Sequence, residues 1–260
     1  MQRVVLAAVA AMTVCFSAGS AQAKDSGSVY GGIVVGNLMG TDRNVETVGS
    51  SAFRALGPTI APSRVKPELD GLSYGVIIGN HYNTNGPLIV GLEIDISGGG
   101  DATPGSFSGA PIVVTAPAVS PAPAGLTTSA TKEYGLRGSL RGRLGVKVLD
   151  GFSVYTTGGL AFAHVETTAS VVVNGAPTLA WNGRNTQNLT GWAIGVGAEF
   201  EVIDGVIVRG EYIYTDLGDA TVTAVGNDAV NAQVTLTGIE YLARTDYRGG
   251  EARAGVLLSF

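Results

Sequence analysis

The sequence predicts an all-β protein: a closed, eight-stranded, antiparallel up-and-down β-barrel that crosses a membrane and carries long extracellular loops. Three observations point there. The chain is apolar yet, beyond its first residues, has no apolar run of membrane-helix length. Its residues alternate in polarity with period two, and its connections alternate between short and long. Hydrophobic residues make up 45% of the chain and charged residues 14%, where a typical soluble domain carries about 25% charged residues. Glycine is abundant, with 39 residues. An apolar, Gly-rich chain without long apolar runs calls for strands.

Residues 1–23, MQRVVLAAVAAMTVCFSAGSAQA, read as a cleavable secretory leader. Arg3 is followed by an apolar run from Val4 to Phe16, and small residues close on Ala21-Gln22-Ala23. That run falls short of the roughly 20 residues a membrane-crossing helix needs. A lipid anchor on Cys15 would want a small residue before it, and Val14 stands there. The mature chain is then expected to start at Lys24 and to form one barrel domain over 24–260. It holds no cysteine, so disulfides, thiolate metal sites and a catalytic thiol are excluded. Loss of Arg3 moves the formal charge from −5 to −6, which argues against nucleic acid, a ligand that selects basic clusters. No phosphate-loop or metal motif is present, and no cofactor or metal is expected.

Eight segments alternate, at approximately 28–38, 69–82, 87–98, 132–148, 152–166, 188–202, 205–217 and 246–260. The first, SVYGGIVVGN, alternates poorly. In the second, GLSYGVIIGNHY, Tyr74 and Tyr82 share a face. In the third, Leu88, Val90, Leu92, Ile94 and Ile96 oppose Gly91, Glu93, Asp95 and Ser97. In the fourth, Tyr134, Leu136, Leu140, Leu144 and Val146 oppose Arg137, Ser139, Arg141, Arg143 and Lys147. The fifth sets Phe152, Val154, Leu160 and Phe162 against Ser153, Thr157, Gly159, Ala161 and Ala163. The sixth sets Trp192, Ile194, Val196, Ala198, Phe200 and Val202 against Gly191, Gly195, Gly197, Glu199 and Glu201. The last, EARAGVLLSF, alternates up to Phe260. Dyad alternation over about ten residues is the signature of a transmembrane β-strand, and an even strand number suits a bacterial barrel, of which eight is the smallest.

The connections NTNG, LDG and IDG are hairpin turns built on Asn/Asp-Gly. The other four run to roughly 20–35 residues, uncommon in a compact soluble domain. Strict alternation of the two kinds predicts tight periplasmic turns, long external loops and periplasmic termini. The apolar faces then meet lipid, with Tyr74, Tyr82, Tyr134, Trp192, Tyr212 and Tyr214 as interfacial aromatics. The charged faces fill the lumen with Glu93, Asp95, Glu199, Glu211 and Glu251 beside Arg137, Arg141, Arg143, Arg209 and Arg253. An eight-stranded barrel is only wide enough for its own side chains, so these charges are expected to pair and plug it, rather than to form an ion-selective constriction.

Several stretches carry a resemblance: Arg141-Gly142-Arg143-Leu144-Gly145, Thr157-Gly158-Gly159-Leu160-Ala161, Gly191-Trp192, Glu211-Tyr212 and Tyr214-Thr215-Asp216-Leu217-Gly218. With these the chain resembles the small eight-stranded outer-membrane β-barrels of Gram-negative bacteria. That family is related to the transmembrane domain of outer-membrane protein A and includes outer-membrane immunogenic proteins, which are cell-surface antigens. The resemblance implies an outer-membrane location among lipid and lipopolysaccharide. It also implies a C-terminal signal read by the barrel-assembly machinery, matched by Arg253, Gly255, Leu258 and Phe260. The chain stops at Phe260, so the peptidoglycan-binding domain of larger relatives is not expected.

The stretch over about 99–131, rich in Pro, Ala, Ser and Thr, is expected to be a mobile surface loop, with Ile112-Val113-Val114 as a short strand within it. The last loop, 219–245, alternates weakly and suggests a hairpin continued outward. His164 should face lipid and His81 the lumen near the periplasmic end, and neither has a Ser or Asp partner at useful spacing, so no catalytic residue is assigned. The expected function is non-enzymatic: envelope structure and presentation of surface loops. A narrow porin-like channel, or a surface receptor or adhesin for a host component or haem, is the alternative.

Overall fold

A computed structural model describes residues 27–40, 45–52, 64–84, 86–108, 125–174, 176–233 and 236–260. The predicted leader over 1–23 lies outside them. In chain order the strands are β1 (Ser28–Gly40), β2 (Val45–Gly49), β3 (Arg64–Val65), β4 (Glu68–Asn83), β5 (Leu88–Thr103), β6 (Gly105–Ser108), β7 (Leu126–Leu149), β8 (Phe152–Val173), β9 (Ala176–Ile203), β10 (Val206–Gly226) and β11 (Glu240–Ser259), with one helical turn, α1 (Asp228–Asn231), between the last two. No described helix is long and apolar enough to cross a membrane.

Eight long strands run antiparallel in the order β1-β4-β5-β7-β8-β9-β10-β11. β1 then pairs back onto β11, from Tyr30 opposite Ser259 to Gly40 opposite Gly249. The ring is closed, and closure satisfies the backbone groups for which a bilayer offers no partner. The last residue belongs to this seam: Phe260 N donates to Val29 O at 2.9 Å and Val29 N to Phe260 O at 3.1 Å. All eight predicted segments fall within these strands to within one residue. β1 alternates poorly because its inward residues Tyr30, Val34 and Leu38 are as apolar as outward Val29, Ile33 and Val35.

At one end the connections are short: residues 84–87, Asp150–Gly151 and Asp204–Gly205. Gly151 and Gly205 adopt φ of 75° and 76°, the left-handed conformation such hairpin turns require. At the other end, among the described residues, strand continues into the stretches expected to be long loops. β8 and β9 run on to meet around 174–175, and β10 and β11 extend to α1, as the weak alternation of 219–245 suggested. The loop expected over 99–131 is likewise narrower, since β5 runs to Thr103, β6 occupies Gly105–Ser108 and β7 begins at Leu126. The Ile112–Val114 stretch lies outside the described residues. β9 has 28 residues, where about ten suffice to cross a bilayer, so the sheet stands well above the membrane.

Bulges mark the transition. The β7–β8 register shifts between Tyr134 and Arg137, and the β10–β11 register between Asp216 and Asp219. At the second bulge Gly218 takes φ of 79° and its N–H donates to Asp216 Oδ1 at 2.9 Å. An extra residue in a strand swaps its two faces. The β7 bulge therefore corrects the expected lipid-facing Tyr134: the ring turns inward and packs against Tyr247, with centroids 5.4 Å apart. Lys147, expected inside, sits at the opposite end of β7 and is exposed, paired with Asp150 at 3.2 Å.

Candidate functional site: a lumen filled at two levels

Period two sends every second residue of the lower strands inward, and among the described residues the outward charges Asp216 and Arg248 stand only at the Trp192 level. Arg141 and Glu93 are direct cross-strand neighbours, as are Arg209 and Glu199 and Glu211 and Arg253. Their side chains join into one chain of ion pairs. Arg143 binds Glu199 through both of its terminal nitrogens. Glu199 also holds Arg209 at 2.5 Å, and Arg209 reaches Glu93 at 2.9 Å. Glu93 in turn forms an ion pair with Arg141 at 2.9 Å. Arg141 and Arg253 then share two carboxylates in a closed four-membered cycle. Arg141 contacts Glu211 at 2.8 Å and Asp95 at 3.2 Å, and Arg253 contacts the other oxygen of each at 2.8 and 3.2 Å. Arg137 and Glu251 form a looser pair just above, at 3.4 Å, with Ser73 donating to Glu251 at 2.6 Å.

Neutral groups that sequence reasoning did not single out complete this belt. Tyr30 OH donates to Glu93 at 2.6 Å, Ser139 donates to Asp95, and Arg141 donates to Thr157 Oγ1 at 2.9 Å. The Arg143 guanidinium lies 3.7 Å from the Tyr155 ring centroid, and a cation so placed is attracted by the ring's quadrupole. Inward glycines make room for these rings: a Cβ at Gly197 would stand 2.5 Å from Tyr155 Cζ. His81 is drawn in as well, with Nε2 at 2.7 Å from Arg143 Nη1 and 3.5 Å from Glu199. Since the arginine can only donate, that nitrogen accepts. His164 faces outward, bonded through Nδ1 to Asn188 at 2.8 Å.

Beside the belt, with Ile77 directly opposite Asp95, Tyr30, Val34, Ile77, Ile207 and Leu257 form an apolar cluster, and at the short-turn end a polar vestibule of about 220 Å³ reaches His81, Glu199 and Ser153. Above the belt the lumen turns apolar. Ala161, Ala163, Val165, Ile213, Leu217 and Tyr247 make a first layer, and Val45, Val65, Ala130, Ala169, Val222 and Ala243 a second. Trp181, Val171, Val230, Leu236, Ile239 and Tyr241 close the top, where Trp181 Nε1 donates to Ile239 O at 2.9 Å. Asn227 caps α1 by accepting from Val230 N at 3.1 Å, which holds Val230 over the column. Outside this level the strands are polar, with exposed Arg184, Thr186, Asn188 and Thr190 on β9.

Comparison with known proteins agrees with this geometry. The model of the outer membrane protein beta-barrel domain matches residues 7–260. The chain belongs to that family. It is an outer-membrane protein. The 31 kDa outer-membrane immunogenic proteins of Brucella melitensis and Brucella suis are 26% identical to it over 166 residues, 64% of this chain. The match spans 62% of those relatives' length. Among solved structures, OprG of Pseudomonas aeruginosa aligns over 90% of this chain and 95% of its own, with a TM-score of 0.47 and 11% identity. Neisserial surface protein A aligns over 91% and 100%, with a TM-score of 0.34 and 13% identity.

The C-terminal residues of the expected assembly signal divide between the two sides of the β11 wall. Arg253 and Gly255 point inward, while Leu258 and Phe260 are outward and exposed.

Proposed function

We propose that this family member is a sealed, non-enzymatic structural barrel of the outer membrane that holds a rigid extracellular sheet above the lipid. The carrying observation is that the lumen is filled twice, by the ion-pair belt around Arg141 and by the apolar column that Trp181 closes. A permeating ion would have to part buried charge pairs, each costing several kcal/mol to separate. It would then meet a tightly packed column in which buried polar groups such as Thr167 and Lys132 are already bonded within the protein.

The expected site chemistry is structural. His81 Nε2 is engaged by Arg143, so that nitrogen is not free to take a proton from a nucleophile. A leader over 1–23 would direct export, with the short turns and both termini on the periplasmic side. The Arg253–Phe260 pattern on the closing strand would present an unpaired edge to the assembly machinery before β1 arrives. Recognition of a host or small-molecule ligand is the second reading, and it is favoured by the polar outer face of the extended strands.

Single-channel recording in planar bilayers tests the main reading. The purified protein should show no stable conductance steps, and reproducible steps in the unaltered protein would establish the porin-like alternative instead. Removal of the β8–β9 extension, residues 167–187, tests the second reading: host-component or haem binding that survives the deletion would place recognition elsewhere.

A further inference from the structure

Between the charge belt and the apolar column lies a small chamber of about 50 Å³, room for one to a few water molecules. Its floor is the upper face of the belt, with Arg137, Arg253, Asp95 and Glu251. Apolar side chains complete the wall, with Ile213 directly opposite Glu251 on the neighbouring strand and Ala193 and Leu217 nearby, and Lys132 also lines the chamber. Three hydrogen-bond donors at this level have no acceptor: Arg137 Nε, Arg137 Nη2 and Arg253 Nη2. The Arg253 side chain is only 1% exposed. Its other two nitrogens are committed to Glu211 and Asp95, so the third is held in place by its neighbours. Arg137, by contrast, is fixed only by the 3.4 Å contact to Glu251 and by the Tyr134 ring, 5.1 Å from its guanidinium carbon.

Leaving buried guanidinium donors unmet costs more than leaving neutral ones unmet. Arg248 lines the chamber with Lys132, but Arg248 pairs with Asp216 and Lys132 donates to Asp246 O, so the unmet donors of Arg137 and Arg253 are what the chamber offers a ligand. We propose that this chamber is a binding site for one small monovalent anion of halide or formate size, held by Arg137 and Arg253. The two guanidinium groups give the anion the charge-assisted bonds that the lining does not supply to them. The small volume and the apolar wall of Ala193, Ile213 and Leu217 disfavour divalent or bulky anions, whose size and charge the chamber does not fit. The site lies in the lumen wall and does not depend on whether the pore conducts.

Bromide tests this directly. Crystals of the full-length mature protein grown in gluconate and soaked in bromide should show one anomalous peak within hydrogen-bond distance of Arg137 and Arg253. Ordered water alone at that position would overturn the proposal. In detergent solution, exchange of gluconate for bromide or chloride at constant ionic strength should raise the unfolding midpoint by about 2–4 °C, while sulfate should not. In Arg137→Gln that halide-specific shift should vanish while the protein remains heat-modifiable on gels. A shift that persists in Arg137→Gln, or one that sulfate reproduces, would place the ion elsewhere and refute the site.

Discussion

At membrane level β8 turns Leu160 and Phe162 outward, and Thr157 and Ala161 inward. Further along the same unbroken strand Val165, Ala169, Val171 and Val173 point inward, and Glu166, Thr168 and Ser170 take the outer face. The strand keeps its period and exchanges the chemistry of its two faces. The two halves of the molecule therefore differ in what holds them together. Above the membrane, water surrounds the sheet and the hydrophobic effect drives the Trp181 column inward. Within the membrane, apolar side chains gain little by leaving lipid, so the interior is specified by charges that cannot face hydrocarbon. An interior of paired charges is a weak source of net stability but is costly to disrupt on one side only.

The largest expected effect breaks the lower half. Arg141→Ala removes the hub of the belt and strands Glu93, Asp95 and Glu211 without it. Urea unfolding of the lipid-inserted barrel should show a loss of about 3–5 kcal/mol. A loss below about 1 kcal/mol would mean that the belt is wet enough to screen those carboxylates, and the contrast between halves would fail.

Trp181→Ala probes the upper half by a different route. Truncating a buried Trp costs about 3–5 kcal/mol through lost transfer energy and the cavity left behind. Here the damage should stay local. Amide exchange should accelerate in residues 220–226 and 239–245, while the gel mobility difference between boiled and unboiled samples persists. If amides around Arg141 and Arg209 also lose protection, the two halves form one cooperative unit.

A charge placed on the outer face separates the two levels on a single strand. Val196 and Thr186 both point outward from β9 and are ten residues apart. Val196→Arg puts a cation into hydrocarbon, at about 2–4 kcal/mol near the midplane. Thr186→Arg puts one into water and should change stability by no more than about 0.5 kcal/mol. Equal effects at the two sites would move the outer membrane boundary away from the Trp192–Tyr214 level, where those rings lie 5.7 Å apart.

Much of this was legible in the sequence because period two is a strong signal. It located all eight strands, and the inward register places Glu93, Asp95, Arg141, Arg143, Glu199, Arg209, Glu211 and Arg253 where their ion pairs form. What escaped has identifiable causes. The β7 bulge at Gly135-Leu136 leaves no mark in the alternation, so Tyr134 was assigned to the wrong face. Tyr30, Tyr155 and His81 joined the belt without a charge pattern to announce them. The upper column is harder to see because the outer face turns polar where the membrane-spanning segments end. Yet VETTASVVV keeps its alternation through Val165, Thr167, Ala169, Val171 and Val173. The exchange of faces was readable there, and a search for membrane strands alone passes over it.

The smallest effect sharpens the comparison most cleanly, because it contrasts two ion pairs of similar chemistry. Arg184 and Glu166 pair at 2.7 Å on the outer face of the extension, with Arg184 70% exposed. Arg209 and Glu199 pair in the belt, with side chains 0% and 5% exposed. Water solvates the first pair whether or not it forms, so a double-mutant cycle should give a coupling of about 0.2–1 kcal/mol that shrinks as salt is raised. For the second pair, either single substitution leaves a buried charge that solvent reaches only through the vestibule beside Glu199. Its coupling should exceed the first several-fold and be nearly indifferent to salt. A salt-sensitive Arg209–Glu199 coupling would show that solvent reaches the belt from the periplasmic vestibule. The lower seal would then rest on the apolar cluster of Tyr30, Ile77 and Leu257 beside the belt instead of on the charges.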